Sequence, residues 1–97
     1  MAQTPEAKVK TKIKKVLKER GVYNFSPIGS AFGTHGVPDI ICCYRGLFIA
    51  IEVKAPGKLG TLTANQAAHI EQIQQAGGRA IVADDVSKVV DLLDTLP

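Results

Sequence analysis

The sequence predicts an α/β fold in which helices pack against a central mixed sheet, with the element order α-β-β-β-α-β-α. Two strongly apolar segments, 39–44 and 47–53, are separated only by Arg45-Gly46, which is typical of a β-hairpin. Three other segments repeat apolar residues at helical spacing, and the last two flank a further strand segment, 79–83. A helix between the hairpin and this strand provides the crossover that a mixed sheet requires. We therefore expect a single domain over residues 1–97.

The first helix is expected over residues 5–20. Thr4 and Pro5 are start signals and Gly21 is a stop signal. Its apolar positions recur at i, i+4, i+7 and i+8: Val9, Ile13, Val16 and Leu17. Residues 22–28 have the composition of a short strand, and a loop rich in glycine (Gly29, Gly33, Gly36) follows it.

The second helix is expected to begin at Thr63 and to end at Ala76, because Gly77-Gly78 follows. After the strand at 79–83, Asp84 or Asp85 is expected to cap the last helix. Four apolar residues of that helix are expected to face the core: Val86, Val89, Val90 and Leu93.

Composition favours a soluble cytoplasmic protein. Residues 1–20 lack the continuous apolar stretch of a signal peptide, and the longest apolar run, 47–51, is too short to span a membrane. Cys42 and Cys43 are adjacent, which suits neither a disulfide framework nor a C-x-x-C metal pair. We expect both cysteines to be small buried hydrophobic residues in a reducing compartment.

Basic residues are concentrated at the N-terminus. The net charge is only +3, but residues 1–20 carry seven basic and two acidic side chains. This asymmetry fits an anionic partner at the first helix, and it equally fits a solvated helix face.

The third strand ends in a charged pair on one face. Ala50, Glu52 and Lys54 alternate with apolar residues that point to the opposite face. The strand is otherwise apolar on both faces, so we expect it to be central and covered on both sides. Burying a carboxylate and an ammonium there is costly unless each has a partner. A Glu–Lys pair emerging into solvent is the alternative.

Asp39 changes this interpretation. It follows Pro38, heads the partner strand and is expected to lie across the hairpin from Glu52. Two neighbouring carboxylates repel each other unless a cation lies between them. Mg²⁺ accepts one or two carboxylates together with water and phosphate oxygens. The alternative is that Asp39 only initiates the strand after proline, but together the two carboxylates favour a metal site.

At this point the sequence resembles a known family. Pro38-Asp39, twelve intervening residues and Glu52-Val53-Lys54 resemble the PD-(D/E)XK nuclease pattern. The segment Gly36-Val37-Pro38-Asp39, the segment from Phe48 to Gly57 and the later Gln66 resemble, more narrowly, the virus-type replication-repair nuclease (VRR-NUC) domain. The resemblance covers about residues 6–83 and implies a PD-(D/E)XK restriction-endonuclease-like core.

The resemblance implies roles for individual residues. Asp39 and Glu52 become side-chain ligands of Mg²⁺ or Mn²⁺, and the carbonyl of Val53 becomes a backbone ligand. Lys54 becomes the residue that orients or activates the attacking water. The chemistry agrees, since a metal polarises the scissile phosphate and a nearby lysine offsets the developing negative charge.

Glu6 and Gln66 each have two interpretations. Glu6 continues the apolar stripe of the first helix, so its carboxylate could face the metal site, as it does in related nucleases, or simply complement the helix dipole. Gln66 occupies the third position of a capping box that starts at Thr63. The resemblance instead places this glutamine at the active site, near Lys54 or the phosphate.

Several other residues are candidates for DNA contacts. His35, in the loop before Pro38, could contact a phosphate or could be incidental. Basic side chains could contact the DNA backbone without reading sequence, or they could simply be solvated: Lys8, Lys12 and Lys15 on one helix face, Lys58 and Arg45.

The sequence therefore predicts a metal-dependent DNA endonuclease. A domain this small cannot read a long sequence, so we expect selectivity for DNA shape, and the resemblance implies action on branched DNA such as four-way (Holliday) junctions. The resemblance implies a phage or viral protein inside a bacterial host. The alternative is a non-catalytic or partner-dependent DNA-binding module with a nuclease fold.

We also expect a homodimer, because two symmetry-related sites are needed to cut two strands. Candidates for its interface are apolar residues that have no place in the predicted core: Tyr23, Phe25, Ile28, Phe32, Leu59 and Leu62.

Overall fold

The computed structural model describes residues 3–28 and 35–97, and their elements follow the predicted order. The helices are α1 (Pro5–Glu19), α2 (Ala64–Gln75) and α3 (Val86–Thr95). The strands are β1 (Tyr23–Phe25), β2 (Ile40–Tyr44), β3 (Leu47–Val53) and β4 (Arg79–Ala83). A 3₁₀ turn, Leu59–Thr61, lies between β3 and α2. The predicted α/β class is confirmed.

The four strands form one mixed sheet in the order β1-β2-β3-β4. The first three strands pair antiparallel, and β4 pairs parallel to β3. Tyr44 pairs with Leu47 across the predicted hairpin turn. Arg45 and Gly46 both have positive φ, 52° and 78°, as a two-residue type I′ turn requires. β3 is therefore a central strand, as its sequence predicted.

Helices cover the two faces of the sheet unequally. α1 and α3 pack on one face, where alternate residues of β2 and β3 form the main core with them. The largest fully buried side chains there are Ile13, Leu17, Ile40, Ile49, Ile51, Val53 and Val89. α2 packs on the other face, against β3 and β4. None of the helices in the described part of the chain is both long and apolar enough to cross a bilayer.

Three details differ from the sequence-based predictions. β1 spans only Tyr23–Phe25 rather than 22–28, because Pro27 has no amide N–H to continue the ladder. The 3₁₀ turn was not predicted. Cys42 is buried, whereas Cys43 is exposed, because adjacent residues of a strand point to opposite faces. The prediction that both cysteines are buried is thus wrong for Cys43. Gly29, Phe32 and Gly33 lie outside the described residues.

Candidate active site

Glu52 and Lys54 lie at the carboxyl end of β3, on the face that α2 covers. Only 4% of Glu52 and 8% of Lys54 is exposed, although both side chains carry ionisable groups. The Lys54 Nζ lies 4.0 Å from the Glu52 Oε2. A Glu–Lys pair that simply emerges into solvent would not be buried to this degree, so the alternative interpretation of this motif is wrong.

Asp39 enters the same site from β2. Ile40 pairs with Ile51, so the residue before Ile40 lies beside Glu52, as the hairpin predicted. The Asp39 Oδ2 accepts a hydrogen bond of 2.8 Å from the Val53 N–H. In a strand, the N–H and C=O of one residue point to the same side. The Val53 carbonyl is therefore directed toward the side of the strand on which Asp39 lies.

Gln66 connects the two charged residues of β3. Its Oε1 accepts a hydrogen bond of 2.9 Å from the Lys54 Nζ, and its Nε2 donates one of 3.1 Å to the Glu52 Oε2. The same Oε1 accepts from the Thr63 N–H at 3.0 Å, which completes the capping box of α2. The capping box and the contact with Lys54 are thus compatible with each other, since a carbonyl oxygen has two lone pairs.

The electrostatics of Glu52 are unusual. Burial raises its pKa to about 8, and the charge of Asp39 and a hydrogen bond shared with it act in the same direction. Lys54 lowers this pKa by a smaller amount, and Glu6 raises it. The charge of Glu6 therefore acts on this site from the first turn of α1, although its side chain is exposed. Two carboxylates brought together in this way favour either a shared proton or a cation.

The donor set fits a hard divalent cation. Asp39 and Glu52 offer carboxylate oxygens, and the Val53 carbonyl is directed to the same side. Within residues 3–28 and 35–97, no group of three or more His, Cys, Asp or Glu side chains could hold a metal ion. Two carboxylates and a carbonyl suit Mg²⁺ or Mn²⁺, which complete their coordination with water and substrate oxygens, better than Zn²⁺, whose usual sites contain at least three Cys, His, Asp or Glu side chains.

Gly36 belongs to the family motif, but the sequence did not reveal its contact with α2. Its φ is +81°, and a Cβ added to it would lie 2.5 Å from the backbone carbon of Asn65. The segment that leads to Asp39 thus packs directly on the first turn of α2, where Gln66 lies. A glycine three residues before the aspartate is the one signal that could have indicated this contact.

The remaining predicted residues lie around this centre. His35 and Lys58 are exposed, and Lys58 precedes the 3₁₀ turn. Lys8 and Lys12 line a crevice beside the first turn of α1, and Lys15 is exposed. The charge of Lys12 lowers the pKa of Asp85, after the larger effect of hydrogen bonds from Ser87. Asp85 therefore offsets part of the charge of Lys12.

Pro38-Asp39 and Glu52-Val53-Lys54 thus meet on the two central strands of a mixed α/β sheet. No family model matches the chain, and no curated protein matches it. Solved structures do match it. A structure described as "VRR_NUC domain" has a TM-score of 0.83 and 22% identity, covering 98% of this chain and 100% of its own. A "VRR_NUC domain protein" has a TM-score of 0.70 and 24% identity, with coverage of 97% and 88%. The chain therefore has the VRR-NUC nuclease fold, and the resemblance is confirmed at the level of the fold.

Proposed function

We propose that this protein is a Mg²⁺-dependent endonuclease that hydrolyses DNA phosphodiester bonds. One observation carries the proposal: a buried Lys54 and Glu52, bridged by Gln66, lie beside the carboxylate of Asp39. A buried carboxylate beside a second one is costly to a fold unless a cation or proton compensates, and such groups cluster at functional sites. The presence of all three motif residues counts against a non-catalytic module.

Asp39, Glu52 and the Val53 carbonyl would hold the metal ion, as judged from their donor atoms. When bound, Mg²⁺ or Mn²⁺ would polarise the scissile phosphate and acidify water at the site. Glu6 adds negative charge near this position without contacting Glu52 directly. Its role is to increase the attraction of the site for a cation.

Lys54 would act on the reacting phosphate. An ammonium has three donors, of which one bonds to Gln66 and one, at 3.5 Å, to the Thr61 carbonyl. The third is available to a phosphate oxygen or to the attacking water. A positive charge already held in place stabilises the negative charge that develops in the transition state. Gln66 keeps Lys54 from forming a closer ion pair with Glu52.

The DNA backbone would be bound by the exposed lysines near the site. Lys58 follows the catalytic strand, and Lys8, Lys12 and Lys15 lie on α1. His35 precedes the segment that carries Asp39 and is also placed to contact a phosphate. Such contacts position the duplex without reading its sequence.

The preferred substrate would be branched DNA, cut by a homodimer. Side chains of β1 to β3 form an apolar surface on the face that α2 covers only in part: Tyr23, Phe25, Ile41, Cys43 and Phe48. Tyr23 is 69% exposed and Phe48 is 48% exposed. None of these five residues is Asp, Glu, Lys or Arg, so the surface suits a protein partner better than DNA. A second copy would place two active sites on one branched substrate.

The dimer is tested by light scattering at micromolar concentration. We expect twice the chain mass of 10.3 kDa for the wild type and a monomer for Phe48→Glu. Leu59→Glu is the comparison: the sequence made Leu59 an interface candidate, but it lies in the 3₁₀ turn before α2 rather than on β1 to β3, so this variant should remain a dimer. A monomeric wild type that still cuts four-way junctions would contradict the dimer.

Activity is tested by offering linear duplex, flap, splayed and four-way-junction DNA with Mg²⁺, Mn²⁺ or a chelator. We expect cleavage only with metal and fastest on branched DNA. Tight binding of branched DNA without cleavage in either metal would instead support the DNA-binding module.

A further inference from the structure

The segment after the catalytic strand forms a defined turn. The Lys58 N–H donates a hydrogen bond of 3.0 Å to the Ala55 carbonyl, which closes a four-residue β-turn. Pro56 occupies its second position, and Gly57, with φ +78°, occupies its third. These are the residues that a type II turn requires. The turn leads directly into the 3₁₀ turn that precedes α2.

Asp84 anchors this turn from the end of β4. Its Oδ2 accepts a hydrogen bond of 3.0 Å from the Gly57 N–H, 27 residues earlier in the chain. Its other oxygen lies 3.7 Å from the Lys88 Nζ, and the side chain is only 16% exposed. Sequence patterns offered Asp84 or Asp85 as the cap of α3, and the structure assigns that cap to Asp85. Asp84 is therefore free for a different task.

Hydrogen bonds, joined by short stretches of backbone, lead from Asp84 to Lys54. After the bond to Gly57, the Lys58 carbonyl accepts from the Thr61 hydroxyl at 2.7 Å and from the Thr61 N–H at 3.1 Å. The Thr61 carbonyl in turn accepts from the Lys54 Nζ at 3.5 Å. The Lys54 N–H is bonded to the Ala83 carbonyl, immediately before Asp84. The Ala83-Asp84 segment thus contacts the loop after β3 at two points, the Lys54 N–H and the Gly57 N–H.

The anchored turn also borders α1. Pro56 and Asp84 line a crevice of about 200 Å³ together with Pro5 and Lys8. This crevice lies beside the first turn of α1, which carries Glu6. Displacement of the turn would therefore alter the surroundings of Lys54 and of the first turn of α1 together.

We propose that Asp84 is a positioning residue for the nuclease reaction, acting through the Ala55–Lys58 turn and Thr61 on Lys54. The proposal rests on the proposed function for its effect on turnover, but its structural part stands alone. A fixed turn holds the Thr61 carbonyl against the ammonium, so Lys54 is oriented before DNA binds. Without the fixed turn, Lys54 keeps its hydrogen bond to Gln66 but loses the one to the Thr61 carbonyl.

Three variants test the proposal. Asp84→Ala removes the acceptor, and we expect kcat to fall about 10- to 100-fold with a smaller change in KM, as for misplacement of a catalytic group. Asp84→Asn keeps an oxygen that can accept from Gly57, so its kcat should stay near that of the wild type. Asp91→Ala is the matched control, because Asp91 is an exposed carboxylate of α3 and its loss changes the net charge equally.

Amide hydrogen exchange by NMR provides a readout that does not require activity. The N–H groups of Gly57 and Thr61 should exchange faster in Asp84→Ala than in the wild type, and at the wild-type rate in Asp84→Asn and Asp91→Ala. A kcat for Asp84→Ala equal to that of Asp91→Ala would overturn the proposal. Faster exchange at Gly57 without faster exchange at Thr61 would overturn it as well, because the anchor would then not reach Lys54.

The two proposals fail in different ways. A wild type that cuts no DNA contradicts the proposed function, and the exchange data then decide alone whether Asp84 anchors the loop. Suppose instead that the wild type cuts DNA and that kcat falls equally in Asp84→Ala and Asp84→Asn. This result contradicts the inference only, because the charge of Asp84 rather than its hydrogen bond to the turn would matter.

Discussion

The burial of Glu52 beside Asp39 makes the stability of the metal-free protein depend on pH in an unusual direction. Ionised carboxylates normally stabilise a fold through their partners, so stability rises with pH. Here burial and Asp39 raise the pKa of Glu52 to about 8 from its ordinary 4.5. The folded protein therefore keeps a proton that the unfolded chain releases in this window. The stability from this proton is fully present below pH 4.5 and is lost as the pH rises toward 8.

The magnitude follows from the same pKa values. Each pH unit inside the window lowers the free energy of unfolding by about 1.4 kcal/mol. The whole window therefore amounts to at most about 5 kcal/mol, a large part of the stability of a small domain. The loss should be spread over the window rather than centred on one pH, because it accumulates between the unfolded-state and folded-state pKa values of Glu52. Glu52→Gln removes the titrating group and should flatten the profile.

The assay is urea unfolding in the presence of a chelator at about pH 5, 6, 7 and 8, which spans the window. The wild type should become less stable across this series, and Glu52→Gln should be the more stable protein at its upper end. Adding Mg²⁺ there should restore stability to the wild type, because the ion binds only the folded state. Glu71→Gln, which alters an exposed carboxylate of α2, is the control and should keep the wild-type profile.

If the free energy of unfolding changes with pH equally in the wild type and in Glu52→Gln, this reasoning is refuted. A metal-free wild type that becomes more stable as the pH rises through the series would refute it as well. Either result would mean that Glu52 is ionised in the folded protein without a cation.

Three further predictions concern individual residues. Lys54→Ala should lower turnover more than Mg²⁺ affinity, because its role lies with the transition state; calorimetric titration of Mg²⁺ beside single-turnover rates separates the two. Gly36→Ala should destabilise the fold by about 2–5 kcal/mol in urea unfolding, through positive φ and a close approach to α2, whereas Gly21→Ala, with φ +70° and open space, should cost about 1–2 kcal/mol. Neutralising three α1 lysines together should weaken DNA binding and reduce the slope of log K against log salt by about 0.9 for each phosphate that these lysines neutralise. Those lysines are Lys8, Lys12 and Lys15.

The order of elements was predictable because it depends on local patterns. Alternation of apolar residues, helical spacing and the positions of glycine and proline are properties of neighbouring residues. Arg45-Gly46 forms the predicted hairpin turn, and Thr63 caps α2 as predicted. The length of β1 was overestimated because its apolar pattern continues through Pro27 to Ile28. The missing N–H of Pro27 was not weighed against that pattern.

Features that depend on tertiary structure could not be predicted to the same extent. The anchoring of Gly57 by Asp84 requires the parallel pairing of β3 with β4, which no local pattern encodes. The double role of Gln66 requires a helix start that meets the end of a buried strand. The apolar surface around Tyr23 and Phe48 follows from strand register, since it unites residues from three strands on one face.

The central claim is that Asp39 and Glu52 hold a metal ion that hydrolysis requires. Single-turnover cleavage of a four-way junction in Mg²⁺, by the wild type and by Asp39→Ala and Glu52→Ala, tests it most directly. We expect cleavage by the wild type, none after a chelator is added, and none by either variant, although both variants remain folded without metal. Near wild-type cleavage by either variant in Mg²⁺ would contradict the account.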